Sequence, residues 1–173
     1  MTKNINNLIV ELQGHQEDYR EIWLKTAKAD NAVIYPLDLY SSAVTHRAKC
    51  IISGFCEMIG TNFICAAPLV RLMLDCQLRF FAVWLVDEPH NFASSIILDN
   101  IDVCKIKDRD GNKMTDSYLV NKMSNEYPWI KKVYRETSGY IHLSKKHYAN
   151  MLSDFNENNR SMRVCIGGDS AIP

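Results

Sequence analysis

Residues 63–87 read F-I-C-A-A-P-L-V-R-L-M-L-D-C-Q-L-R-F-F-A-V-W-L-V-D, the most hydrophobic long run in the chain. The reading of this run decides the fold. It is apolar nearly all round, which marks a helix enclosed by other helices. Pro68 falls in its first turns, where proline is tolerated or kinks the entry, and Pro89 closes it. A membrane span is excluded because Arg71, Asp75 and Arg79 would lie at mid-bilayer, where charge is costly.

Upstream, Ile5, Leu8, Ile9, Leu12, Tyr19, Ile22 and Trp23 recur at three-and-four spacing. This predicts a long amphipathic helix over 3–33, stopped by Asn31 and Pro36. A second helix follows from Pro36, turning Leu39, Ala43, Ala48, Ile51, Ile52, Phe55 and Ile59 inward, and breaks at Gly60-Thr61-Asn62. Downstream, a fourth helix is expected from His90 to Cys104, then a turn over Lys107–Asn112. Thr115 or Asp116 caps a helix to Glu126, and Pro128 starts another through Ser138. Gly139 stands where a left-handed cap belongs, with Lys131, Lys132 and Arg135 suited to the negative end of that helix. Ser144 caps a last helix to Phe155, Asn156–Arg160 is a polar loop, and Arg163–Ile166 alternates weakly as a short strand or a packed tail.

The expected fold is therefore all-α. It is an antiparallel bundle of six or seven helices with a short C-terminal strand, in one domain spanning 1–173. Within it, 1–33 is the N-terminal helix, 36–155 the core and 156–173 the tail.

Composition narrows the function. Twenty basic and twenty acidic residues cancel, so any contact with RNA must use a local patch. The cysteines Cys50, Cys56, Cys65, Cys76, Cys104 and Cys165 form no C-x-x-C pair. Four lie in apolar helical stretches, which predicts reduced, buried thiols in a cytoplasmic protein. The polar start M-T-K-N-I-N-N lacks the apolar core of a signal peptide. The D-R-D-G fragment at 108–111 fails as a calcium loop, because counting back from Gly111 puts Ile106 at the first ligand position. A His142/His147 metal pair lacks a third ligand, and no serine or cysteine has a nucleophile-elbow context. No cofactor or metal is expected.

The chemistry-bearing segment is Tyr134–Ser144, Y-R-E-T-S-G-Y-I-H-L-S. Arg135 and His142 are seven apart, the same face of an unbroken helix but roughly 10 Å along its axis. A fold at Gly139 would bring them closer. A histidine moves a proton from an attacking hydroxyl, and an arginine holds a phosphate and its developing charge. RNA carries its own nucleophile, the 2′-hydroxyl, so such a pair needs neither metal nor protein nucleophile. The plainer reading of the same residues is that Arg135 caps a helix end and His142 bonds a backbone carbonyl.

The arginine, six intervening residues and histidine of R-E-T-S-G-Y-I-H resemble the signature of the HEPN superfamily of small all-helical bundles. Many of these are metal-independent endoribonucleases of toxin–antitoxin and phage-defence systems. Three strings are similar to uncharacterised bacterial members of that group: A-P-L-V-R-L-M-L-D (67–75), K-D-R-D-G-N-K-M-T-D-S-Y-L (107–119) and S-G-Y-I-H-L-S (138–144). The resemblance spans about residues 40–150. It implies Arg135 and His142 as catalytic residues in a site formed across a homodimer, with RNA as substrate and a neutralising protein as a further partner. Glu136 departs from the family pattern, which has a small polar residue after the arginine. A carboxylate there repels a phosphate unless it is paired.

Arg71, Asp75 and Arg79 stand at i, i+4 and i+8, one polar stripe on the apolar central helix. Buried charge must be paired, so the stripe is either an internal ion-pair network fixing helix register or the lining of the pocket that holds Arg135 and His142. A solvent-facing edge is the third reading. Tyr140 and His147, with Lys131, Lys132, Arg135, Lys145 and Lys146, form a local basic and aromatic patch suited to RNA, and Glu136 and Ser138 beside them are candidates to support the site or bind substrate. The competing function is a non-catalytic helical module that binds a nucleotide or another protein.

Overall fold

The structure is a computed structural model and describes residues 4–164, without the side chains of residues 30, 32, 150 and 153–155. Its helices are α1 (Ile5–Lys28), α2 (Pro36–Met58), α3 (Phe63–Phe81), α4 (Pro89–Ile97), α5 (Asp116–Met123), α6 (Trp129–Ile141) and α7 (Lys145–Met151). A hairpin of β1 (Leu152–Asn156) and β2 (Ser161–Val164) follows, paired antiparallel with Leu152 opposite Val164. The fold is an all-α bundle with this small appendage.

Each helix starts where the chain supplies an acceptor for its free N–H groups or a proline that needs none. Asn4 and Asn62 accept from Asn6 and Cys65 at 3.1 Å each. Pro36 and Pro89 begin α2 and α4. Asp38 takes the backbone N–H of Tyr35 at 2.8 Å. Left-handed backbone at Asn31 (φ 56°) lies in the turn between α1 and α2.

The central helix α3 packs against α2, α5 and α6, and a tight turn over Ala82–Leu85 extends it. Its inward residues Leu74 and Leu78 join Tyr40, Val83, Phe92, Val103, Met114, Leu119, Val120 and Ile130 in one core. The Tyr40 and Phe92 rings meet edge to face at 5.7 Å. The 107–113 turn is pinned to the end of this extended segment. The Arg109 guanidinium donates to the carbonyls of Trp84 (2.6 Å) and Val86 (3.1 Å), and its backbone N–H to Leu85 (2.9 Å). Buried Asp108 organises the turn itself. It accepts from the backbone of Asp110 and Asn112 at 3.1 and 2.8 Å and from the Tyr118 hydroxyl. Burial alone would raise its carboxyl pKa, but these donors together hold it below the ordinary carboxylate range.

Several expected boundaries change. The first helix ends at Lys28 rather than 33, the central helix at Phe81 rather than Asp87, and the helix expected through Ser138 continues to Ile141. The fourth helix ends at Ile97 rather than Cys104, because Asn100 turns left-handed (φ 54°) and Ile101 N–H returns to the Ser95 carbonyl at 3.0 Å. The helix expected to reach Glu126 stops at Met123. The last helix stops at Met151 instead of Phe155, because Leu152–Asn156 pairs with Ser161–Val164. The expected strand shifts to Ser161–Val164; its residues 165 and 166, like the rest of the tail, lie outside the described residues.

Two surfaces differ from the amphipathic pattern. No residue of α1 is buried, and Ile5, Leu8, Ile22 and Trp23 remain exposed. Polar ties help hold it: Trp23 Nε1 donates to Ser42 Oγ at 2.8 Å and Gln77 Nε2 to Tyr19 at 3.2 Å. Among the described residues the thiols are free, but they are not uniformly buried as expected. Cys76 is enclosed, whereas Cys50 and Cys65 are exposed, and Cys165 lies outside the described residues. Among the described residues no helix is long and apolar enough to cross a membrane.

Candidate functional site

Helix α6 carries the chemistry-bearing segment, and its sequence explains its orientation. At about 100° per residue, Ile130, Val133, Tyr134, Thr137, Tyr140 and Ile141 fall on one side. Ile130 is fully buried, and Val133 and Tyr134 pack against the core. The opposite side presents Lys131, Arg135, Ser138 and His142 at successive offsets of four, three and four, one stripe within about 60° of arc. Lys131, Arg135 and His142 are exposed, the Arg135 side chain to 77%.

Gly139 does not fold this segment. The helix runs through it to Ile141, and His142 leaves helical geometry with φ −115° and ψ 150°. Arg135 and His142 therefore stay two turns apart, roughly 10 Å along the axis. Two residues after His142, Ser144 caps the start of α7. Its hydroxyl donates to the Gly139 carbonyl at 2.5 Å and accepts from Lys146 N–H at 3.3 Å. His147 completes the cap, its Nδ1 accepting the Ser144 N–H at 3.2 Å. That accepting nitrogen makes Nε2–H the tautomer of neutral His147.

The plainer reading of the pair also fails. Arg135 lies inside the helix rather than at its end and reaches only Glu136, Nε to Oε1 at 3.6 Å. His142 makes no hydrogen bond or ion pair among the described residues. Glu136 is held by Lys146, whose Nζ donates to its carboxylate at 3.0 Å and to its backbone carbonyl at 2.5 Å. The hydrogen bond and charge of Lys146, seconded by Arg135, keep the Glu136 carboxyl below its ordinary range. Lys146 also lies 4.8 Å over the Tyr140 ring, which meets Phe63 edge to face at 5.6 Å. Tyr140 is thus a support for the α6–α7 corner, and Ser138 is turned onto the Tyr134 carbonyl at 2.6 Å.

The polar stripe of α3 faces elsewhere. Arg71 Nη2 lies 3.5 Å from Asp116 Oδ2, and Arg79 Nη2 lies 2.5 Å from Asp116 Oδ1 and 3.5 Å from Asp75. Arg71 is 7% exposed and lays its guanidinium 4.0 Å over the Tyr134 ring. The stripe is an internal network that clamps α3 to the first turn of α5 and to α6. It does not line a pocket with Arg135 and His142, and neither of those residues lines the clefts beside α1 or between α2 and α3. Arg71 acts on the stripe of α6 only through Tyr134, the residue before Arg135.

The sequence reading missed Asp116 as the hub of this network. Its one signal was an acidic residue beside an N-cap threonine, which says nothing about a partner on another helix. It also missed Arg47 and the cleft it lines, because α2 read there as a plain inward face. Among the described residues no three His, Cys, Asp or Glu side chains are grouped to hold a metal ion. No family model matches the chain, and no curated protein or solved structure does either.

Proposed function

We propose that the chain is a metal-independent endoribonuclease of the HEPN type that acts as a homodimer, with Arg135 and His142 as its catalytic residues. The observation that carries this reading is the exposed stripe of Lys131, Arg135 and His142, with His142 uncommitted and the Glu136 charge taken by Lys146. Those three side chains suit a phosphodiester backbone lying along α6, and the paired Glu136 removes the local repulsion.

One helix cannot close on a single phosphate, because its two groups are roughly 10 Å apart. Two copies of α6 facing each other supply an arginine from one and a histidine from the other. The 2′-oxygen attacks the neighbouring phosphorus and gives its proton to one neutral His142. The bond to the 5′-oxygen breaks, and the imidazolium of the second copy's His142 protonates the leaving oxygen. The products are a 2′,3′-cyclic phosphate and a 5′-hydroxyl, and Arg135 carries the extra charge on the phosphoryl oxygens. The apolar residues left open on α1 offer one surface for pairing, and the α6 face offers the other.

The test is RNA cleavage by purified protein in excess chelator, with product ends identified and mass measured by light scattering. His142→Ala is expected to slow cleavage about 10²–10⁴-fold, and Arg135→Ala about 10²–10³-fold. Both side chains are exposed, so neither change should move stability by more than about 0.5 kcal/mol. Full-rate cleavage by His142→Ala, or a monomer that cleaves, refutes the assignment.

A further inference from the structure

We infer that the cleft between α2 and α3 is a binding site for a small organic monoanion with an apolar body. It is unrelated to the α6 stripe. The cleft has a volume of about 410 Å³, within the roughly 300–1,000 Å³ usual for small-molecule sites. Tyr40 and Arg47 of α2 and Asp75, Cys76 and Arg79 of α3 form its facing walls, and the segment 100–104 closes one side. That segment sits there because α4 stops early and Asn100 turns left-handed.

The charges of the walls do not cancel among themselves. Asp75 and Asp116 balance Arg79 and Arg71 in the network already described. Asp102 lies 3.4 Å from Lys105. Arg47 is the remaining charge: it has no carboxylate within ion-pair distance among the described residues and lies beside the Cys76 thiol. Its guanidinium keeps donors free for a ligand. Arg79 lines the same cleft, but its charge is taken by Asp75 and Asp116.

The other groups agree with an anion rather than a cation. Tyr40 is a neutral hydrogen-bond group, its phenol pushed up to about 12 by burial and donating to the Arg79 carbonyl at 3.0 Å. The thiol of Cys76 is also raised, by burial first, and stays uncharged beside Arg47. Val44, Ile96, Ile101 and Val103 supply an apolar wall for the ligand's body. One unbalanced positive charge favours a carboxylate over a phosphate dianion.

Calorimetric titration of the full chain with 4-phenylbutyrate, 4-phenylbutanol and phenyl phosphate tests the site. The expected result is saturable binding of 4-phenylbutyrate, with the alcohol weaker by about tenfold or more, the size of one charge-assisted hydrogen bond. Arg47→Met should weaken the carboxylate by the same factor and leave the alcohol unchanged. Ala43→Trp, which fills the mouth from an exposed position, should abolish both. Urea midpoints equal to the unmodified chain show that these variants fold. No binding of 4-phenylbutyrate up to about 5 mM, affinity untouched by Arg47→Met, or equal binding of the alcohol overturns the site. Tighter binding of phenyl phosphate than of the carboxylate overturns the monoanion assignment.

Discussion

Removing the Asp116 carboxylate should destabilise the protein by about 3 kcal/mol, although Asp116 lies at the surface end of a short helix. The size follows from what it leaves behind. Arg71 is 7% exposed and has Asp116 as its carboxylate partner. Stripping one partner from a buried pair costs about 3–5 kcal/mol, mostly as the desolvation of the charge left unpaired. Here the loss is smaller, because Asp116 is 35% exposed, water reaches part of the network, and Asp75 stays on Arg79. That leaves about 2–3 kcal/mol from the network. The first turn of α5 also loses its negative charge against the helix dipole, about 0.3–1 kcal/mol more. At roughly 2–4 °C per kcal/mol for a chain of this size, Tm should fall by about 6–12 °C. Urea unfolding of Asp116→Ala measures this as a drop in midpoint at constant slope. The double variant Arg71→Met/Asp116→Ala is the control, since it removes the orphaned cation. It should recover about 1–3 kcal/mol relative to the sum of the two single changes. A loss below about 1 kcal/mol for Asp116→Ala, or strictly additive single effects, would refute the network as the clamp between α3 and α5.

Two further outcomes follow from local geometry. The Asp108 carboxyl is lowered in the folded state from its ordinary 3.8, so its contribution is present above that value and is lost as pH falls through the lower folded value. Asp108→Asn should therefore flatten the acid limb of a stability–pH curve, read by urea unfolding in stepped buffers; an unchanged limb would remove Asp108 as its source. Gly139→Ala distinguishes a helical from a left-handed glycine. The added Cβ would meet Lys146 Cδ and Ser144 Oγ at 3.3 Å, so thermal unfolding should show a change between zero and a gain of about 0.8 kcal/mol, whereas a loss above about 1 kcal/mol would restore the left-handed turn.

The bundle was legible because burial periodicity is a strong local signal. The run 63–87 was read as central, and it is the helix that touches α2, α5 and α6. Ser144, Thr115 and Asn31 were read correctly as punctuation, since their effects reach only neighbouring residues. The failures lie where a contact distant in sequence outweighs a local preference. Gly139 beside a lysine-rich segment has the composition of a helix end. A glycine in a helix costs only about 1 kcal/mol, less than the burial gained by carrying Tyr140 to Phe63 on α3. The hairpin was missed for a similar reason: residues 152–156 continue a helical rhythm until a second strand pairs with them.

The site was legible in part, and the physical reason bears on what the charges mean. Spacing alone identified Arg71, Asp75 and Arg79 as a unit, because i, i+4 and i+8 share a face whatever lies opposite. Spacing could not identify the opposite group, and Asp116 turned the unit from a candidate pocket into a clamp. The same logic applied to α6 gives the reverse result. Its stripe has the same periodicity, but it faces away from the core and meets only Glu136, which Lys146 already holds. A buried arginine must find its partner inside the chain, because the alternative costs several kcal/mol. An exposed one pays no such penalty, so its alignment with Lys131 and His142 is not enforced by folding. Folding energy accounts for Arg71 and Arg79; it leaves Arg135, His142 and Arg47 unaccounted for. Those three are where substitutions should change binding or cleavage and leave stability unmoved.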